Sequence, residues 1–168
     1  MKTVLDKYQL ELTIQRLSHQ LMEDHDDFAD TVLVGIQPRG IIFANLIVKQ
    51  IKLSGIEHVH YGKLDITFHR DDIRKELHIP NQTDMPFSIE GKKVVLIDDV
   101  LYTGRTIRAA LDALLAFGRP EKVQLCVLIN RRFSRQLPIQ PDYCGKSIDS
   151  IVTEKVKVEW SREEVVLY

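Results

Sequence analysis

One continuous segment, residues 92–131 (KKVVLIDDVLYTGRTIRAALDALLAFGRPEKVQLCVLINR), constrains the fold of this chain more than any other. Its Val94–Ile97 run is uninterrupted and apolar, which is typical of a strand buried on both faces of a parallel sheet. Thr106–Phe117 carries its apolar residues on one helical face, and a glycine and a proline then end it. Val123–Ile129 is a second apolar run. This order predicts a right-handed βαβ unit.

The first third of the chain contains a second unit of the same kind. Residues 31–36 (TVLVGI) predict a strand, Gly40–Leu53 predicts a helix, and residues 58–68 predict a further strand. Before them, Leu10–Met22 has apolar residues spaced for one stripe of an amphipathic helix. We therefore expect an α/β fold with a mostly parallel central sheet flanked by helices, and a single domain over residues 1–168.

Composition excludes several classes of protein. The chain is 44% apolar and 28% charged, so it can bury a core, and 23 basic against 24 acidic residues give a net charge of −1. The longest uncharged run near the start of a helix-like stretch, residues 40–48, is far shorter than the roughly 20 apolar residues of a membrane span. The N-terminus lacks the pattern of a secretory signal, so we expect a cytoplasmic protein. Cys126 and Cys144 lack the spacing of a zinc site.

Residues 69–90 (HRDDIRKELHIPNQTDMPFSIE) are polar, irregular and rich in charges of both signs. A connection of this length is uncommon in a compact domain and is more often functional than a simple linker. We expect this segment to be a mobile lid.

Chemically active side chains follow the central strand. Asp98 and Asp99 are joined to a Thr-Gly-Arg-Thr turn, residues 103–106, at the start of a helix, where backbone N–H groups favour an anion. Carboxylates repel an anion, so the pair suits the diol of a sugar phosphate or a divalent cation carried with it. The alternative is that Thr103 or Thr106 only caps the helix. The segment lacks the glycine patterns of ATP-binding and dinucleotide-binding loops.

The earlier strand is followed by Gln-Pro-Arg-Gly, residues 37–40, which places Arg39 at another helix start. Read alone, Arg39 is more typical of a surface ion pair than of an anion site. Two anion sites on neighbouring strands, however, suggest one ligand with two separated phosphate groups.

The residues carry a resemblance to a known family. Residues 94–106 (VVLIDDVLYTGRT) resemble the phosphoribosyl pyrophosphate (PRPP) signature of the type I phosphoribosyltransferases. Residues 64–72, 103–120, 137–147 and 153–156 are similar to the bifunctional pyrimidine operon attenuator and uracil phosphoribosyltransferase family, so the resemblance covers nearly the whole chain.

The resemblance implies a fold and a set of site residues. It implies a type I phosphoribosyltransferase fold, with Mg²⁺ bound together with PRPP, and catalytic roles for Arg39, Arg70, Asp98 and Asp99. Arg74 and Asp71 would lie in or near the lid. The implied substrate-binding residues are Pro38, Arg39, Asp98, Asp99, Val100, Leu101, Tyr102, Thr103, Gly104, Arg105, Thr106, Arg131 and Val156.

The family's reaction converts uracil and PRPP to UMP and pyrophosphate, and its second role is binding of pyrimidine leader RNA in response to UMP. Arg16, His19 and Lys146 match its basic RNA-facing residues, and the resemblance implies a homo-oligomer. Gln140 and the segment 130–136 (NRRFSRQ) depart from the family pattern. Two alternatives stay open: an RNA-binding attenuation protein with little turnover, and a phosphoribosyltransferase for another base.

Overall fold

The computed structural model describes residues 1–71 and 82–168. Their strands and α-helices follow in the order β1 Lys2–Leu5, α1 Lys7–His25, β2 Thr31–Ile36, α2 Gly40–Leu53, β3 His60–Leu64, β4 Lys93–Leu101, α3 Arg105–Leu114, β5 Lys122–Arg132, β6 Tyr143–Asp149, β7 Val156–Glu159 and β8 Glu164–Leu167. Single 3₁₀ turns follow β3 at Thr67–His69 and α3 at Leu115–Phe117.

The larger sheet contains five parallel strands in the order β3-β2-β4-β5-β6. All six residues of β2 are buried, as expected for a strand covered on both faces. This arrangement confirms the predicted α/β fold with a mostly parallel sheet flanked by helices.

The strand predicted over residues 58–68 is shorter than expected, since β3 ends at Leu64. The reason is local: the Asp65 carboxylate accepts hydrogen bonds from the N–H of Thr67 at 3.2 Å and from its hydroxyl at 2.7 Å. Such a turn competes with strand pairing and starts the 3₁₀ turn that follows. Residues 65–69 therefore curve away from the sheet, at its carboxyl end.

Helices cover the two faces of the sheet and divide the core in two. On one face α1 and α2 bury residues such as Leu17, Leu21, Phe43 and Ile47 against β2, β4 and β5. On the other face α3 packs with Ile107 among its buried residues. The buried stripe of α1 (Leu10, Ile14, Leu17, Leu21) is the one that its spacing predicted. Each such side chain contributes about 1.5–3 kcal/mol on burial.

A second, antiparallel sheet in the order β1-β8-β7 was not predicted from the sequence. Its pairs join the two ends of the described chain, with Lys2 opposite Leu167 and Val156 also opposite Leu167. Val165 belongs to the core beneath α1 and α2, and the ring of Trp160 stacks on Phe43 with centroids 6.4 Å apart. The small sheet is therefore fixed beside the α1–α2 face.

The predicted lid over residues 69–90 is described only at its two ends. Asp84 forms a backbone bridge to Lys63 of β3, with both N–H to O distances at 2.8 Å, and Ile89 is fully buried. Residues 72–81, which include Arg74, lie outside the described residues, so the lid stays a prediction. No helix in residues 1–71 and 82–168 has the length and apolar character needed to cross a membrane.

Candidate active site

Two cavities that share lining residues open at the carboxyl ends of the parallel strands, where α/β sheets bind ligands. The larger has a volume of about 590 Å³ and is lined by Ile36, Gln37, Pro38, Arg39, Ile66, Thr67, Arg70, Asp98, Asp99, Val100, Tyr102, Thr106, Arg131, Lys155 and Val156. The smaller, about 290 Å³, is lined by Arg70, Asp98, Val100, Leu101, Tyr102, Thr103, Gly104, Arg105, Thr106, Ile107 and Gln136. Every catalytic and substrate-binding residue expected from the sequence lies in one or both.

The carboxylates of Asp98 and Asp99 form the floor of this site, near the end of β4. Both residues are buried, with 7% and 6% of their surfaces exposed. The N–H of Asp99 donates to Asp98 Oδ1 at 2.9 Å, and the N–H of Val100 donates to Asp99 Oδ1 at 2.8 Å. Burial, and next the charge of Asp99, raise the pKa of Asp98 well above its usual range.

Burial also raises the pKa of Asp99, but the positive charge of Arg39 opposes that rise. The charge of Arg70 likewise favours the ionised form of Asp98 and so lowers its pKa. The two carboxylates therefore share a buried site with insufficient compensation for two negative charges. Such a pair is suited to bind hydroxyl groups, which donate hydrogen bonds, or a cation.

Arg39 stands at the start of α2, and the residue after it lets the helix approach the carboxylates. A Cβ atom on Gly40 would lie 2.5 Å from the carbonyl oxygen of Ile97 and 3.1 Å from the Cα of Asp98. No larger residue fits there without moving the backbone. The glycine thus brings the positive end of α2 and the exposed Arg39 side chain against the end of β4.

The turn at residues 102–106 forms the start of α3. Gly104 has φ +93°, in the left-handed region that favours glycine, and it is the N-cap residue with no side-chain hydrogen bond. Thr103 does not occupy the N-cap position, although its hydroxyl accepts a 3.3 Å hydrogen bond from the N–H of Arg105. Apart from this bond to the Arg105 N–H, no side chain caps the helix start, which leaves the remaining N–H groups of the turn suited to an anion.

Residues 69–71 are fastened to α3 beside the cavities. The Asp71 carboxylate lies 3.0 Å from Arg105 Nη1 and 3.4 Å from Arg108 Nη2, and the same Arg108 nitrogen donates to the His69 carbonyl at 3.2 Å. Arg70, between these two anchors, lines both cavities. The anchors therefore fix the backbone that carries it.

Arg131 forms the opposite wall. It is buried, and its guanidinium donates to the Ser150 hydroxyl at 2.8 Å and to the carbonyls of Ile151 at 3.2 Å and Glu154 at 2.9 Å. It also lies over the ring of Tyr102, 4.0 Å from the centroid. Arg131 thus joins the end of β5, the loop after β6 and the Tyr102 ring into one wall.

Sequence reasoning missed several lining residues. Gln37 directly precedes the predicted Pro38 and Arg39, and Lys155 precedes the predicted Val156, so both were adjacent to a recognised signal. Gln136 lies far along the chain, and no local pattern indicates its position in the smaller cavity.

The three residues expected to bind RNA lie away from these cavities, on α1 and β6, and all are exposed. Arg16 Nη2 donates to the carbonyls of Cys144 at 3.3 Å and Gly145 at 2.5 Å. Lys146 Nζ donates to the carbonyl of Val4 at 2.9 Å. Arg16 therefore reaches the strand of Lys146 within one chain, without a second subunit.

Known proteins resemble this chain in sequence and in fold. Residues 1–162 match the phosphoribosyl transferase domain family. The bifunctional protein PyrR of Picosynechococcus is 50% identical over 157 residues, covering 92% of this chain and 88% of the relative. The bifunctional protein PyrR of Enterococcus faecalis is 44% identical over 167 residues, covering 97% and 92%.

Solved structures support the fold alone. A hypoxanthine phosphoribosyltransferase from Staphylococcus aureus superposes with a TM-score of 0.75 at 22% identity, over 98% of this chain and 90% of that one. The Trypanosoma cruzi hypoxanthine phosphoribosyl transferase also reaches a TM-score of 0.75, at 16% identity, over 99% and 90%.

Proposed function

Since the chain belongs to the phosphoribosyl transferase domain family and to its bifunctional PyrR proteins, we propose that it transfers phosphoribosyl from PRPP to uracil. The products are UMP and pyrophosphate. The observation that carries this proposal is the buried Asp98–Asp99 pair, which lies in the same cavities as the start of α3. Asp98 and Thr106 line both cavities, and Asp99 lines the larger one. A vicinal diol beside a phosphate is the chemistry that this combination accepts.

In this proposal the carboxylates of Asp98 and Asp99 accept hydrogen bonds from the 2′- and 3′-hydroxyls of ribose. The 5′-phosphate lies against residues 103–106, where backbone N–H groups and the hydroxyls of Thr103 and Thr106 donate to its oxygens. The remaining predicted lining residues of this turn, Val100 to Tyr102 and Arg105, shape the walls around the sugar phosphate.

Pyrophosphate binds at the start of α2, against Arg39 and the Pro38 turn. Mg²⁺ fits this site, because proteins hold it through one or two carboxylates plus substrate phosphates. The described residues hold no cluster of three or more His, Cys, Asp or Glu side chains that could bind a metal by itself. Asp98 and Asp99 supply the oxygen-rich side of the site, and the ion would neutralise charge on the pyrophosphate.

Catalysis in this site depends on placement and electrostatics. The transition state develops positive charge on the ribose ring as pyrophosphate leaves, so the buried carboxylates stabilise the ring side. Arg39 and Arg70 stabilise the leaving group. Closure over the cavities would exclude water from the reactive ring. No general base of high strength is required.

The base lies against the wall formed by Arg131 and Val156. Arg131 is immobilised by its hydrogen bonds and its stacking on Tyr102, so the wall has a fixed shape. Uracil is the base that we assign to it, on the likeness to the PyrR proteins.

The test is incubation of the protein with Mg-PRPP and each free base, followed by chromatography of the products. We expect UMP from uracil. Nucleotide from a purine alone would replace the base assignment and keep the reaction, whereas no nucleotide from any base would overturn the enzyme proposal. The Asp98→Asn variant is the matched control, since it should form no product.

A second role, binding of pyrimidine leader RNA, is favoured by the α1–β6 surface, where Arg16 contacts the backbone of the residue before Lys146 and where Arg16, His19 and Lys146 are all exposed. If RNA binds there, UMP should tighten binding by linkage. Titration of the leader with and without UMP, at two salt concentrations, tests this. Absence of salt-sensitive binding in both conditions would refute it.

We also infer that the protein acts in the cytoplasm as a homo-oligomer, a dimer or larger. Tyr8 and Leu12 lie one turn apart on α1 and expose 69% and 45% of their surfaces, which supplies apolar area for a subunit contact. Light scattering at micromolar concentration should give at least twice 19.4 kDa. A monomeric mass would contradict the inference.

A further inference from the structure

The back of the 102–106 turn is held by a segment that follows β5. The Tyr102 carbonyl accepts a hydrogen bond from Arg135 Nη1. The next carbonyl, of Thr103, accepts from the N–H groups of Gln136 at 2.9 Å and Leu137 at 3.3 Å. Two successive carbonyls of the turn are therefore held by residues 135–137. The Tyr102 carbonyl is held by a side chain, that of Arg135, and the Thr103 carbonyl by backbone N–H groups.

Fixing a carbonyl also fixes an N–H group. A trans peptide unit is planar, and its C=O and N–H bonds point in opposite directions. The Arg135 hydrogen bond to the Tyr102 carbonyl therefore turns the N–H of Thr103 away from Arg135. Arg135 lines neither of the two substrate cavities, whereas Thr103 lines the smaller one. The Thr103 N–H accordingly faces the side of the turn on which a phosphate would bind.

Arg135 is itself held in place. Its Nη2 donates to Asn130 Oδ1 at 2.6 Å, and Asn130 Nδ2 in turn donates to the Ser147 hydroxyl at 3.3 Å. The donation to Ser147 orients the Asn130 amide so that its oxygen faces the guanidinium. A continuous series of contacts thus runs from β6 through the end of β5 to the Tyr102 carbonyl.

The site of this guanidinium is distinct from the substrate cavities. Arg135, Asn130 and Ser147 line a third, open cavity of about 790 Å³ on the other side of the turn. In the part of the chain that the structure describes, Arg135 forms no ion pair, and burial lowers its pKa. Its contacts are an amide oxygen and a backbone carbonyl, so its placement serves hydrogen bonding to the turn.

We propose that Arg135, oriented by Asn130, is a positioning residue that holds the Thr103 N–H toward the 5′-phosphate of the substrate. This proposal rests on the proposed function, because it needs a phosphate at residues 103–106. The role requires a planar fork that reaches two acceptors at once. A lysine at this position has a single ammonium group and cannot reproduce that geometry.

The experiment compares Arg135→Ala and Arg135→Lys with Arg132→Ala. Arg132 is the matched control because it lies on the same segment but pairs with Asp149 at 2.6 Å on the surface. Calorimetry measures binding of UMP, which carries a 5′-phosphate, and of Mg-pyrophosphate, which lacks one. Amide NMR spectra of the free proteins report on the Thr103 N–H.

We expect both Arg135 variants to bind UMP about tenfold more weakly, the loss that corresponds to one charged hydrogen bond, with unchanged pyrophosphate affinity. The KM for PRPP should rise by a similar factor, and the Thr103 amide signal should shift or broaden without ligand. Arg132→Ala should match the wild type in each measurement. Asn130→Asp should retain UMP affinity, because its carboxylate still accepts from Arg135.

Three results would overturn the proposal. One is an Arg135→Ala variant with normal UMP affinity and a normal Thr103 signal. Another is an Arg135→Ala variant that loses affinity for UMP and pyrophosphate equally and has a lower Tm, which would indicate general destabilisation. The third is a wild type that binds pyrophosphate but neither UMP nor PRPP, and that result would also remove the proposed function.

Discussion

Helices α2 and α3 begin beside the same two aspartates, but their first residues are held there in different ways. The start of α2 depends on space: a Cβ on Gly40 would collide with the main chain of β4. The start of α3 depends on conformation, because Gly104 has φ +93°, and on the hydrogen bonds that reach the turn from residues 135–137. One proposed anion site is therefore fixed by packing onto the sheet, and the other by support from a distant loop.

Because of this difference, substitutions at the two helix starts should have different effects. A change at the start of α2 should disturb the sheet itself, since the contact is with the Ile97 carbonyl and the Asp98 backbone. A change in the 102–106 turn or its support should mainly alter the orientation of N–H groups. Substitutions at the start of α2 should therefore mainly lower the stability of the fold. Substitutions in the 102–106 turn or its support should mainly lower ligand affinity.

The largest effect is expected for Gly40→Ala. The new Cβ would stand 2.5 Å from a carbonyl of β4 that cannot move without breaking strand pairing, so α2 must shift outward. We expect a loss of about 3 kcal/mol of unfolding free energy, at the upper end for overpacking. Urea denaturation measures it. Gly55→Ala is the control, since open space surrounds Gly55 and only its φ of +98° opposes the substitution. Equal losses in the two variants would contradict the steric explanation.

The next effect distinguishes the two proposed anion sites by the ligand whose affinity is lost. Thr103→Ala/Thr106→Ala should weaken Mg-PRPP and UMP by about 2 kcal/mol, roughly 30-fold, through lost hydroxyl donors. Arg39→Ala should weaken pyrophosphate by a similar factor and UMP much less. Calorimetry on the folded variants measures both. If the double variant binds PRPP normally, or Arg39→Ala loses UMP and pyrophosphate equally, the assignment of phosphates to the two sites is wrong.

Gly104→Ala tests the conformational requirement at α3. An alanine at φ +93° is strained by about 1–2 kcal/mol, and its Cβ would press on the Ile139 side chain at 3.1 Å, which can move. We expect a moderate fall in Tm and weaker UMP binding. Gly91→Ala is the matched control, because Gly91 has φ +67° and open space around it. Weaker UMP binding in that control would show that the effect at Gly104 is not local.

The Asp98→Asn variant tests how much stability is lost by burying two carboxylate charges beside the starts of α2 and α3. Burial raises the pKa of Asp98 and of Asp99 in the folded protein, so folding favours their protonated forms. The stability that comes from these raised pKa values is fully present below the pKa of an unfolded aspartate, about 3.9. It is lost as the pH rises through the pKa values of the two aspartates in the folded protein. The variant should therefore exceed the wild type in stability at neutral pH, by about 1 kcal/mol, and match it near pH 3.

Thermal unfolding across that pH range, with activity measured in parallel, checks the prediction. We expect a higher Tm together with lost activity. A variant less stable than the wild type at pH 7 would show that hydrogen bonds to the ionised Asp98 outweigh its burial.

The same contrast explains how much the sequence could predict. Residues 31–36 and Gly40–Leu53 are observed within the predicted bounds, and the predicted site residues meet in two cavities, because buried strands, helices and strand ends follow local patterns. The support from Arg135 was not predictable, since it joins residues 33 positions apart through one side chain. The β1-β8-β7 sheet was not predicted for a related reason. Its strands are only four residues long, and they pair across the length of the chain, with Lys2 opposite Leu167.

The residues expected to face RNA show a further limit of prediction from the sequence. Arg16 and His19 are three residues apart on α1, so they share one face of the helix. The sequence could not show that the Arg16 guanidinium donates to backbone carbonyls of β6, a contact between residues 128 and 129 positions apart. Such contacts depend on how close a helix and a strand approach. Here Gly145 permits the approach, since a Cβ on it would lie 2.8 Å from Cγ2 of Thr13 on α1.

The smallest effect on stability is expected for Asp71→Asn, which tests whether α3 also positions Arg70, the arginine that lines both cavities. Asp71 pairs with Arg105 and Arg108 through side chains that are one-third to nearly one-half exposed, so solvent screens the pairs and their loss should cost at most about 1 kcal/mol. Arg70 should nevertheless lose part of its alignment, because one of its two flanking anchors is gone. We expect a kcat several-fold lower with Tm nearly unchanged, measured by steady-state kinetics and thermal unfolding. Asp112→Asn is the matched control, since Asp112 pairs with the same Arg108 at 3.0 Å but does not contact residues 69–71. An equal fall in kcat in both variants would assign the effect to Arg108 and not to the placement of Arg70.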